Sequence, residues 1–150
     1  MAIPTIFRRQ AFDNADLHVQ VKTQKIPSEL RDDYEVINIS GIVMTVFRSA
    51  LPLEVESAIQ FDLPAVKRNA ANLPDGGMYC WFEDLLLSQH IEVCLNKRAD
   101  HFYIAADLFE VISGPTKQPS ITFPLTDSNT IARQVADSRS KWWQRWLLGR

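Results

Sequence analysis

The 150-residue sequence predicts a mainly β protein, a small antiparallel β-barrel followed by a C-terminal α-helix. Period-two alternation of apolar and polar residues recurs at Leu17-Val19-Val21, Ile59-Phe61-Leu63 and Ile91-Val93-Leu95, the pattern of strands with one buried face. Two apolar runs, Val36 to Ile39 and Ile42 to Phe47, flank the single Gly41, a residue suited to a bulge or to the close approach of another backbone. Behind the cap-forming side chains Asp127, Ser128 and Asn129, an apolar stripe runs through Ile131, Val135, Trp142 and Trp146, which predicts a helix over 129–148. The domain boundaries expected are a leader over 1–16 that lies on the domain, the barrel over 17–113, and an exit loop with helix over 114–150.

A chain of this length buries roughly 70% of its unfolded surface in one domain. Its 46% hydrophobic and 23% charged residues are those of a globular protein. A net charge of -2 lacks the basic excess that phosphate backbones reward, so nucleic acid is not an expected partner. Cys80 and Cys94 have no metal-ligand or redox spacing and read as buried free thiols. Residues 1–30 show no secretory pattern and no apolar run approaches the ~20 residues that span a bilayer, so a cytoplasmic protein is expected.

In chain order, Leu17, Val19 and Val21 predict a first strand whose His18, Gln20 and Lys22 face water. The polar stretch Pro27 to Asp33 is a loop with room for a Ser28-capped helical turn. Tyr34 to Phe47 gives two strands or one bent strand around Gly41, and Pro52 interrupts the run because it cannot donate to a ladder. Ile59 to Leu63 is another half-buried strand. Val66 to Leu73 has the length of one or two helical turns before the turn signal Pro74-Asp75-Gly76-Gly77. Met78 to Leu87 fits strand or helix, its aromatic start favouring strand. Ile91 to Leu95 and His101 to Ile112 form a hairpin around Lys97-Arg98-Ala99-Asp100, with Glu92 and Cys94 on the polar phase of the first strand. Ser113 to Ser120 leaves the barrel, and Ile121 to Leu125 is an edge-strand candidate.

Catalytic chemistry finds little purchase. His18, His90 and His101 sit at or beside wet strand positions without triad or ligand spacing, and no nucleophile turn or phosphate-cradling glycine loop occurs. Glu83-Asp84 and Asp13 with Asp16 read as solvated acids. The remaining pairing is Arg8-Arg9 with Asn38-Ile39-Ser40: guanidinium groups clamp phosphates, and a short amide and hydroxyl at a β-bend can fix a nucleotide's edge.

A basic leader, an antiparallel β pattern, Asn-x-Ser at a strand bend and the closing pair Ile91 to Ser113 together resemble the PilZ domain, a bacterial receptor module for cyclic di-GMP. The resemblance covers roughly residues 7–113. It implies ligand contacts through Arg-x-x-x-Arg in the leader and Asp/Asn-x-Ser-x-x-Gly at the bend, and so assigns Arg8, Arg9, Asn38 and Ser40 to a dinucleotide. Here the position four after Arg9 is Asp13, and the glycine position falls on Val43. Each motif is half present. The expectation is therefore a non-enzymatic regulatory or adaptor protein acting through a protein partner, with a cyclic di-GMP receptor as the alternative; no cofactor is required. The partner-binding candidates are Trp142, Trp143, Arg145, Trp146 and Leu147, because adjacent tryptophans cannot share one narrow helix stripe and a basic, Trp-bearing helix suits a protein interface or a membrane surface.

Overall fold

A computed structural model describes residues 4–73 and 79–123. Among these residues it is mainly β, with six strands and two helices. In chain order these are α1 (Thr5–Asn14), β1 (Leu17–Lys25), β2 (Tyr34–Ser49), β3 (Ala58–Val66), β4 (Cys80–Trp81), α2 (Phe82–Ser88), β5 (His90–Arg98) and β6 (His101–Ile112). The sheet order is β2-β1-β5-β6-β3-β4 with a further β2–β3 pairing, so the strands ring round. Four of the pairings are antiparallel, as expected, whereas β3 runs parallel to β4 and meets β6 in parallel at Phe61–Phe102.

The ring depends on β2, a single bent strand that serves two neighbours. Tyr34 to Ile42 pair with β3, and Ser40 to Ser49 pair with β1. The handover falls at Gly41, which faces Ile59 on one side and Thr23 on the other. A Cβ built on Gly41 would lie 2.4 Å from the Lys22 carbonyl oxygen and 2.6 Å from Val21 Cγ1. The glycine is there because two backbones meet more closely than any side chain allows. Bulges beside it, where the register skips Gln24 on β1 and Met44 and Phe47 on β2, supply the bend.

Inside the ring, Leu17, Val19, Val21, Ile39, Phe61, Leu63, Ile91, Val93 and Leu95 form the main core. The apolar phases of the strands predicted at 17–21, 59–63 and 91–95 lie in it. The stretch at 80–88 resolves into both candidate states: Cys80–Trp81 pair with Ala65–Val66, after which Phe82 and Leu85, three residues apart, turn one helical face into the core. Residues 66–73 form a turn at Arg68-Asn69 rather than a helix, and 27–33 hold no helical turn. The β5–β6 connection is tighter than predicted, with Arg98 paired to His101 across Ala99-Asp100 and Ala99 at φ 53°. Ile121 to Phe123 are not a strand. The turn at 74–77, the helix expected over 129–148 and its Trp142, Trp143, Arg145, Trp146 and Leu147 lie outside the described residues.

The polar phase of β1 and β5 is the main correction. His18, Gln20 and Glu92 are buried, not wet, whereas Cys94 is buried as expected of a free thiol. Two segments cover them, helix α1 and the strap of residues 114–123. A second core joins Ala15, Cys94, Ala105 and Leu108 to Ala11, Phe12, Ile121 and Phe123. An irregularity in β6 makes room for it: where β5 has only Cys94, β6 has Ala105, Ala106, Asp107 and Leu108, so Ala105 and Leu108 both reach this side.

Glu92, with 0% exposure, organises the covered face. Its Oε2 lies 2.9 Å from His18 Nε2 and accepts from the Ile121 amide at 2.6 Å. Its Oε1 accepts from Gln20 Nε2 at 2.8 Å and from the Ser120 amide at 2.9 Å. Burial pushes this carboxyl up, but the hydrogen bonds from His18, Ser120, Ile121 and Gln20 outweigh it and hold the group below the ordinary glutamate value. Gln20 grips the strap as well, accepting from the Thr116 amide at 2.8 Å and donating to Thr116 Oγ1 at 2.7 Å.

Two outcomes are expected. Gly41→Ala should cost about 1–3 kcal/mol in chemical denaturation, because the obstacle is a backbone carbonyl that cannot swing aside. Because the folded value of Glu92 is depressed, its contribution is complete above the unfolded value of about 4.3 and is lost as the pH falls through the folded one. Denaturation from pH 6 to pH 3 should therefore show an acid loss that Glu92→Gln reduces, and an unchanged acid loss in the variant would contradict this.

Candidate functional site

On the outside of the ring, β2 and β3 face water with their polar phase. Asn38 stands opposite Asp62, and Ser40 opposite Gln60. Both rungs are closed by side-chain hydrogen bonds: Asn38 Nδ2 donates to Asp62 Oδ1 at 3.1 Å, and Gln60 Nε2 donates to Ser40 Oγ at 2.8 Å. The Asn38 orientation is forced, since an ionised carboxylate only accepts and the amide must offer it nitrogen.

These rungs line an open cleft of about 680 Å³. The single β3–β6 pair at Phe61–Phe102 brings the start of β6 alongside, adding Asp100, His101 and Tyr103 to the wall, while Gln24 enters from β1. The cleft continues along Lys25, Ile26 and Pro27, where a further stretch of about 570 Å³ shares Gln24, Asn38, Ser40 and Gln60. At its β6 end His101 and Tyr103 rings lie 6.4 Å apart, and Arg98 sits 5.9 Å from the Tyr103 ring centre.

The structure brings together two of the four predicted ligand residues. Asn38 and Ser40 line the cleft side by side, as the bend at Gly41 requires. Arg8 and Arg9 do not line it. They lie on α1, where Arg8 Nε reaches Asp107 Oδ1 at 2.9 Å and Arg9 Nε is 3.8 Å from Asp13 Oδ2 one turn further along. Asp13, the acid standing where a leader arginine would be, is thus a helix neighbour of Arg9.

Further contacts fasten the end of α1. Arg48 donates to the carbonyls of Phe12 and Ala15 and lies over the Phe12 ring at 5.2 Å, and the Asp16 carboxylate accepts from the Lys97 amide at 2.8 Å. The leader arginines and the bend residues therefore serve different parts of the molecule. Arg8 staples a helix to the β6 irregularity, and Asn38 and Ser40 belong to the open cleft.

Gln24, Gln60, Asp62, Asp100, His101 and Tyr103 were not singled out from the sequence as partners of Asn38 and Ser40. The signal for Gln60 and Asp62 was present in the wet phase of a strand, but the register that sets them opposite Ser40 and Asn38 was not. Two exposed carboxylates, Asp62 and Asp100, stand in the wall where they would repel a phosphate, with Lys25 along the cleft's continuation and Arg98 beside Tyr103 carrying the opposite charge. Among the described residues no group of three or more His, Cys, Asp or Glu could hold a metal ion, and no helix is long and apolar enough to cross a membrane.

No protein-family model matches the chain, and no curated protein matches it.

If Arg8 holds α1 in place, Arg8→Met should lower stability by roughly 0.5–1 kcal/mol, since the pair is partly exposed. It should also speed amide exchange in α1 before exchange in β1 changes. A variant with the stability and α1 exchange of the unaltered protein would contradict the staple.

Proposed function

We propose that this chain is a non-enzymatic regulatory or adaptor protein, a PilZ-like barrel with degenerate ligand motifs that acts through contact with a protein partner. One observation carries the reading: the leader arginine Arg8, which a dinucleotide receptor would aim at phosphate, is bound to Asp107 and stands apart from a cleft that holds Asp62 and Asp100. The face beside the cleft supplies what a protein contact needs. Tyr34 and Val36, 42% and 55% exposed, share the outward phase of β2 with Asn38, and Tyr103 is 45% exposed at the cleft's other end. Apolar and aromatic side chains around hydrogen-bonding amides form the usual composition of an interface core. In this reading the segment bearing Trp142, Trp143, Arg145, Trp146 and Leu147 adds a second contact, to a protein or a membrane surface.

The runner-up is a cyclic di-GMP receptor. Its support is the placement of Asn38 and Ser40 in a cleft whose volume lies within the roughly 300–1,000 Å³ of small-molecule sites. It requires Arg8 to leave Asp107.

Calorimetric titration separates the two. The adaptor reading expects no saturable heat with cyclic di-GMP at high micromolar concentration. Saturable heat that disappears in Asn38→Ala/Ser40→Ala would overturn it in favour of the receptor. Capture from bacterial lysate with the unaltered chain and with Tyr34→Ser/Val36→Ser should then recover a partner at least ~10-fold less well with the variant, as expected for truncating interface anchors. Identical recovery would remove this face from the account.

A further inference from the structure

The wall formed by β1 and β5 separates two cores of different construction. On the inner side, the main core is enclosed by strands that hydrogen-bond to one another around the ring. On the outer side, the second core is closed by α1 and the strap. The strap contains no helix or strand. Among the described residues, its amides at Thr116, Ser120 and Ile121 donate to side-chain oxygens of Gln20 and Glu92. Its grip on the sheet thus passes through two side chains, both with 0% exposure, together with the apolar seats of Ile121 and Phe123.

A segment held this way can leave without breaking a backbone ladder. Its free energy of opening is set by a few side-chain bonds and two apolar contacts, whereas opening the ring requires whole strands to part. Phe12 links the strap to the rest of the covered face, its ring lying 5.1 Å from Phe123 and 5.3 Å from His18. Departure of the strap would therefore loosen one flank of α1 and uncover Cys94, Leu108 and Ala105.

We propose that residues 114–123 are a latch that opens as a unit from the β1–β5 face, exposing the apolar second core while the main core stays closed, with Glu92 and Gln20 as the catch. The device is a conformational one, built into the covered face. It is independent of the cleft on β2 and β3, and so of the reading given to that cleft.

The two free cysteines report on it directly. Cys94 belongs to the second core and Cys80 to the main core, and burial pushes both thiols up to about 12, so labelling of either one needs an opening. The full-length chain and its Glu92→Gln variant would be treated with iodoacetamide under native conditions and the modification at each cysteine followed by mass spectrometry. Removing a buried, charged hydrogen-bond hub should raise the Cys94 labelling rate about 10- to 100-fold, with Cys80 changed by less than about twofold. A parallel rise at both cysteines means that the whole molecule opens together and overturns the latch; so does an unchanged Cys94 rate.

To keep the test independent of how well Glu92→Gln folds, Thr116→Val provides it from the strap side, at an exposed residue, and should raise the Cys94 rate alone by about 3- to 10-fold. Hydrogen exchange in the unaltered protein completes it. The Ser120 and Ile121 amides should exchange at least about tenfold faster than those of Val19 and Val93, and equal rates would overturn the proposal.

Discussion

Glu92 places a carboxylate with no solvent exposure in the middle of a sheet and surrounds it with His18, Gln20 and two amides of a segment almost thirty residues further along the chain. A buried charge is tolerated only when its lone pairs are filled, and removing one partner of such a group typically costs 3–5 kcal/mol. The rest of the covered face follows from that constraint. The strap must lie where it lies because its amides complete the carboxylate's shell. Phe12 and Phe123 then meet beside His18, and α1 is held there by Arg8 at one end and Arg48 at the other. Gly41 governs the other side of the ring, letting β2 pass from β3 to β1 at a distance no side chain permits.

This division separates structural from available chemistry. The leader's Arg8 and Arg9, and His18, Gln20 and Glu92 on β1 and β5, are engaged within the molecule. The polar residues of the cleft are engaged with one another in two cross-strand rungs but remain at the surface. The proposed adaptor reading draws on this asymmetry: one face committed to holding the scaffold and another offered outward.

Much of the fold was legible in the sequence wherever burial follows local alternation. Leu17-Val19-Val21 and Ile91-Val93-Leu95 announced their strands and their inner face, and Gly41 announced a close approach. The outer face was not legible, because polarity was taken as a sign of water. His18, Gln20 and Glu92 are polar for the opposite reason: His18 and Gln20 bond to Glu92 across 74 and 72 residues, and Gln20 and Glu92 accept the amides of a cover that lies 28 to 96 residues further along the chain. The irregularity at Ala105 to Leu108 was hidden too, since a strand that breaks its period leaves no period to read. Of the candidate site, Asn38 and Ser40 were found at the bend that carries them, but their neighbours depend on register. Arg8 and Arg9 were grouped with them by chemical type, whereas Arg8 finds its partner in Asp107, a residue delivered by that unreadable bulge.

The account rests on a buried Glu92 that keeps its charge. The most direct measurement is the side-chain carboxyl carbon shift of Glu92 in the labelled full-length chain, followed by NMR as the pH is lowered. The account predicts that this carbon remains in the ionised range below the ordinary glutamate value of about 4.3, and that its protonation coincides with loss of protection at the Ser120 and Ile121 amides. A Glu92 that takes up its proton at or above the ordinary value would contradict it.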